Sequence, residues 1–116
     1  MAAPSDLPIH IDDPWFGYIK EGRKTVEGKI AKGKALKMIV GCNLEISGNS
    51  GAVIRAQVTA VRRYGSFREY LSTEGLETTL PGITSINEGL AVYHKYYAPG
   101  IDAQLGVLAV EMMVIA

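Results

Sequence analysis

Within eight residues, Gly22-Arg23-Lys24-Thr25-Val26-Glu27-Gly28-Lys29, the chain places two glycines, three bases, one hydroxyl and one carboxylate. A lysine serves as base or nucleophile only where burial or a neighbouring cation lowers its pKa, and an adjacent carboxylate has the reverse effect. Lys24 and Glu27 therefore admit two readings. They form an ion pair that orients a ligand, or, if Glu27 faces a separate polar group, Glu27 is an acid or base. In a regular strand residues three apart point to opposite faces, so both side chains reach one site only through a bend or bulge, which Gly28 permits. Tyr64, Tyr70, Tyr93, Tyr96 and Tyr97 form an aromatic set in the second half of the chain. Tyrosines interleaved with bases can stack on nucleobases, whereas at helical spacing they fill a core or its rim. Adjacent Tyr96 and Tyr97 cannot both face inward on a helix, so one of them is exposed or lines a cleft.

Other chemistries are poorly supplied. Cys42 is the sole cysteine and the only histidines are His10 and His94, which excludes an intrachain disulfide and a Cys/His zinc cage. No serine or cysteine sits in a nucleophile motif, and no Gly-x-x-x-x-Gly-Lys phosphate loop is present, so the sequence calls for no cofactor and no metal. Cys42, after Val40-Gly41, reads as a small buried hydrophobe. The apolar run Leu105 to Val110 falls well short of the roughly 18 to 20 residues of a membrane helix. Met1 to Pro8 lacks the basic cluster and apolar stretch of a secretory signal, and the expectation is a cytoplasmic protein.

Net charge is zero, but its distribution is uneven. The first 19 residues carry three acids and no base, residues 20 to 68 have a net charge of +8, and residues 69 to 116 a net of −5. Folded together, the middle third would give one positive face suited to phosphate or nucleic acid, while on charge alone the lysines serve equally to solubilise a loop.

The elements that must position these residues follow from periodicity. At 116 residues, with 47% hydrophobic and 21% charged residues and no composition break, the chain reads as a single domain over residues 1–116. Leu7, Ile9 and Ile11 predict a short opening strand. Asp13 as N-cap, Pro14, the spacing of Trp15, Tyr18 and Ile19, and Gly22 as C-cap predict a helix from about 14 to 21. A strand over Arg23 to Ile30 and an exposed lysine loop from Lys29 to Lys37 come next. Leu44 and Ile46 precede the turn-rich Ser47 to Gly51, and then Ile54, Ala56, Val58 and Ala60 alternate with Arg55, Gln57 and Thr59 as in a half-buried strand. Ser66 with Glu69, and Ser85 with Glu88, fit capping boxes that start two helices, the first ending at Gly75 and the second before Pro99-Gly100. Leu105 to Val114 reads as a strand covered on both faces. About five strands and three short helices make a small α+β fold around a closed or nearly closed sheet.

The Gly22 to Ile30 stretch resembles the signature of the ASCH domain family. Further blocks agree: Tyr64-Gly65-Ser66-Phe67-Arg68-Glu69-Tyr70-Leu71, Glu74-Gly75-Leu76, Pro81-Gly82, Glu88-Gly89, Val92-Tyr93, Lys95-Tyr96-Tyr97 and Gly106-Val107-Leu108-Ala109-Val110. The resemblance implies a PUA-like β-barrel with helices at its openings and a cleft along the Lys-Thr strand. It also implies RNA or a nucleotide as partner, and charge and stacking reasoning places that partner in a cleft of Lys24, Thr25, Glu27, Arg55, Arg62, Tyr64 and Tyr93. One branch of the family removes the acetyl group from N4-acetylcytidine with a lysine, a threonine three residues later and a downstream glutamate, and another has ribonuclease activity. If this chain is such an enzyme, Lys24 and Glu27 are its catalytic residues. Lys24 matches that lysine, Glu27 stands where the branch has threonine, and Glu74 and Glu77 fall loosely where the glutamate would lie.

Overall fold

In the computed structural model, which describes residues 6–116, five strands form one sheet. The first five residues, part of the segment read for a secretory signal, lie outside the described residues. The strands are β1 (Leu7–His10), β2 (Val26–Ile30), β3 (Asn43–Ser47), β4 (Val53–Tyr64) and β5 (Val107–Val114). Their spatial order is β1-β3-β4-β5-β2, parallel at β1–β3 and antiparallel elsewhere. The sheet curls but does not close. β1 and β2 are its two edges, and the seam between them is not bridged by strand pairing.

Five helices accompany the sheet: α1 (Trp15–Lys20), α2 (Phe67–Glu74), α3 (Leu76–Thr79), α4 (Ile86–His94) and α5 (Ile101–Leu105). The periodic reading anticipated three of them. α3 and α5 are four and five residues long, too short for a 3.6-residue period to emerge. Helix α1 begins at Trp15 without a side-chain cap, so Asp13 does not play the N-cap role its type suggests. Both serine caps form as the sequence implies, with the Glu69 N–H donating to Ser66 Oγ at 3.1 Å and the Glu88 N–H to Ser85 Oγ at 3.2 Å. The lysine loop is partly ordered as a 3₁₀ turn over Gly33–Lys37, pinned to the interior by Ala35 and Met38.

Two hydrophobic clusters lie on opposite faces of the sheet, and β4 explains how. Ile54, Ala56 and Val58 face the first cluster with Ile9, Phe16, Leu44, Ile46 and Met112. A bulge between Val58 and Ala60 then shifts the register, pairing Val58 with Met112 but Ala60 with Glu111. One extra residue reverses side-chain parity, so Ala60 turns away from Val58 instead of continuing its face as alternation predicts. Beyond the bulge, Tyr64 packs on the second cluster, in which Val26, Ile30, Val107 and Ala109 meet Phe67, Tyr70, Leu71 and Tyr93. There the Phe67 and Tyr93 rings stack with centroids 4.4 Å apart, and Tyr70 meets Tyr93 edge-on at 5.7 Å.

Candidate functional site

Regular strand geometry begins only at Val26. The preceding residues turn, with the N–H groups of Arg23 and Lys24 both donating to the Tyr18 carbonyl and that of Thr25 to Thr78. This break, not Gly28, brings Lys24 and Glu27 together, with Lys24 Nζ 3.4 Å from Glu27 Oε1. Gly28 pairs regularly with Ala109 and is glycine for another reason: a Cβ there would lie 2.7 Å from the Tyr70 ring.

Lys24 is only 2% exposed. Its amine donates to the carbonyls of Val26 at 2.8 Å and Thr79 at 2.5 Å in addition to facing Glu27. Two carbonyls and a facing carboxylate favour the ammonium form, which has no lone pair for base or nucleophile chemistry. Burial pulls its pKa below the ordinary lysine value, while the Glu27 charge and hydrogen bond oppose that fall. Glu27 Oε1 accepts from the Gly28 N–H at 2.9 Å and the Tyr93 hydroxyl at 3.3 Å as well as facing Lys24. Burial pushes the Glu27 carboxyl up, but the charges of Lys24 and Lys29 and the hydrogen bonding of Gly28 and Lys24 outweigh it and hold the group below the usual carboxylate range. Because Tyr93 donates to Glu27, Tyr70 is the donor in the 2.9 Å contact between the two hydroxyls. Burial raises the pKa of both phenols well above the ordinary value, so both keep their protons.

Glu27 Oε2 has no hydrogen-bond partner among the described residues. The carboxylate borders a cavity of about 290 Å³, at the small end of ligand pockets, lying in the seam between the two sheet edges. His10, Ile11 and Asp12 line it from the β1 side, Glu27, Gly28 and Lys29 from β2, and Trp15, Tyr93, Tyr96 and Tyr97 from the helical side. Asp12 is already engaged: its Oδ1 lies 3.0 Å from His10 Nε2, and its Oδ2 accepts from the Tyr96 hydroxyl at 2.8 Å. A second hollow of about 230 Å³ shares His10, Lys29 and Tyr97 with the first and adds Lys32 and Lys34, with no carboxylate in its wall. Along the seam, therefore, an aromatic chamber bordered by the Glu27 carboxylate lies beside a lysine-lined hollow.

Of the residues expected to bind a ligand, Lys24, Glu27 and Tyr93 converge at this chamber. The others lie elsewhere. Thr25 borders a different hollow, beside Ile19, Lys20 and Met112. Arg55 holds Asp6 at 2.6 and 3.2 Å. Arg62 is clamped between Glu74 and Glu111, each at 2.7 Å, and Tyr64 donates to the same Glu74 at 2.5 Å. These pairs neutralise Arg55 and Arg62 of β4 locally, and Arg63 donates to the Leu105 carbonyl, so much of the positive charge of the middle third does not face the seam. Glu74 is thus occupied, Glu77 is exposed, and neither lines the chamber. His10, Asp12, Trp15, Tyr96 and Tyr97 complete the wall. Tyr96 and Tyr97 lie beyond the end of α4 and not on a helix as the adjacent-tyrosine argument assumes, and both, not one, border the chamber. For His10, Asp12 and Trp15 the only signal is their place at the end of the opening strand or just after it, which becomes meaningful once β1 is an edge. Among the described residues no group of three His, Cys, Asp or Glu side chains could hold a metal ion, and no helix is long and apolar enough to cross a membrane.

A family model described as ASCH domain matches residues 9–115. Among solved structures, the crystal structure of hypothetical protein PH0355 is 32% identical, with a TM-score of 0.85 over 96% of this chain and 100% of its own. The solution structure of protein PF0455 from Pyrococcus furiosus is 33% identical, with a TM-score of 0.77 over 96% and 98%. At 18% identity, an ASCH protein from Zymomonas mobilis shares the fold with a TM-score of 0.60, over 91% of this chain and 65% of its own. No curated protein matches the chain.

Proposed function

Because this chain belongs to the ASCH domain family, a PUA-like family suggested to bind RNA, we propose that it binds single-stranded RNA along the sheet seam. One base enters the aromatic chamber while neighbouring phosphates lie over Lys29, Lys32 and Lys34. The observation that carries this reading is that the two hollows are neighbours, with His10, Lys29 and Tyr97 in the wall of both. A stacking surface beside a carboxylate-free lysine groove is the combination single strands require, since rings take bases and ammonium groups take phosphates.

Salt dependence tests it. If three lysines neutralise three phosphates, the logarithm of the association constant falls with the logarithm of salt concentration at a slope of about −2. Replacing the exposed Lys32 and Lys34 with alanine should weaken binding and bring the slope to roughly −0.7. Fluorescence polarisation with a short labelled RNA measures both quantities. Absence of association with any RNA at low salt removes the proposal.

The hydrolase reading asks Lys24 for a free amine, whereas that amine donates to two carbonyls and faces the Glu27 carboxylate, and Glu74 is held by Arg62 and Tyr64. Incubation with N4-acetylcytidine, followed by chromatography, should therefore release no cytidine. Turnover that disappears in Lys24→Ala would favour the enzyme.

A further inference from the structure

The geometry points to a base-selective chamber: Glu27 Oε2 accepts a hydrogen bond from an exocyclic amino group and disfavours a base that presents a carbonyl there. This inference rests on the RNA-binding reading and adds to it which bases are taken.

The argument concerns the direction of hydrogen bonds. An ionised carboxylate only accepts. Glu27 Oε1 is saturated by Gly28, Lys24 and Tyr93, and both oxygens of Asp12 are taken by His10 and Tyr96. Glu27 Oε2 is thus the chamber carboxylate oxygen without a partner among the described residues. Its neighbours fix it in place: Lys24 is buried and anchored by the carbonyls of Val26 and Thr79, and the Tyr70–Tyr93 pair keeps the carboxylate from turning. Displacing water from this oxygen without supplying a donor leaves a charged acceptor unpaired, which costs more than a missing neutral hydrogen bond. Lys29 also borders the chamber, but it equally borders the lysine hollow, where a phosphate would draw its ammonium away from the base.

Deamination is the cleanest change of sign. Cytidine to uridine, and adenosine to inosine, each replace an amino group by a carbonyl with little change of shape. The new ring N–H that each product gains lies beside that carbonyl, whose oxygen would crowd the carboxylate.

Trp15 is the only tryptophan and lines the chamber, so its fluorescence reports binding of the four nucleosides. The amino-bearing member of each pair should bind roughly tenfold or more tightly, in line with the discrimination of a well-placed base contact. Glu27→Gln, whose amide can offer either a donor or an acceptor, should shrink both ratios to about threefold or less. Equal affinities within both pairs in the unmodified protein would overturn the selection rule while leaving RNA binding in place. Binding of RNA with no binding of any nucleoside would overturn it too, because the base would then lie outside the chamber. Failure to bind any RNA at low salt would instead remove the underlying reading. Should Glu27→Gln unfold, the two ratios in the unmodified protein still decide.

Discussion

Lys24→Met should lower the unfolding free energy by about 3–5 kcal/mol, the range for removing one partner of a buried ion pair. Methionine keeps the stem and its packing, so the loss isolates the ammonium. It strands the Glu27 carboxylate together with the carbonyls of Val26 and Thr79, all of which Lys24 now satisfies. Replacing both partners, as in Lys24→Met/Glu27→Leu, should cost less than the sum of the single changes because no unpaired charge remains. Denaturant unfolding of the four proteins in this cycle provides the check. A single-variant loss under about 1 kcal/mol, the range of solvated surface pairs, would show that the pair is not buried in the way described.

For Gly28→Val, strand propensity and packing give opposite signs. Valine is enriched in strands and glycine weakens them, a difference on a scale of about 1 kcal/mol in favour of the variant. Against this, the first added carbon would sit 2.7 to 3.0 Å from Tyr70, a fully buried ring held edge-on to both Phe67 and Tyr93. Overpacking costs about 1–3 kcal/mol in a well-filled core, and valine brings two further methyl groups. Packing wins, and a net loss of about 2 kcal/mol is expected by thermal or chemical unfolding. Combining the change with Tyr70→Leu, which clears the ring, should return part of the loss. An unchanged or raised midpoint for Gly28→Val alone would mean that Tyr70 has room to retreat.

Those two positions also mark what the sequence could disclose about the site. The density of Lys24, Glu27 and Gly28 was visible, and so was the problem that residues three apart on a strand diverge. The solution was not visible, because it depends on Tyr18 capturing two successive N–H groups and thereby delaying β2 until Val26. Strand alternation and serine caps located the main elements, since both are local. Arg55, Arg62 and Tyr64 looked like ligand contacts because their acidic partners are remote in sequence: Asp6, Glu74 and Glu111 meet them only after the sheet and α2 assemble. The wall supplied by His10, Asp12 and Trp15 was likewise illegible, because strand order alone makes β1 and β2 the two lips of one opening.

The irregularity in β4 has a mechanical consequence for the whole chain. Its leading half walls one cluster, and beyond the bulge Val61 still leans on that cluster while Tyr64 buttresses the other, so the two share a load-carrying backbone and not merely a boundary. Neither can melt without withdrawing support from its neighbour, and two chemically separate interiors should come apart in one concerted transition.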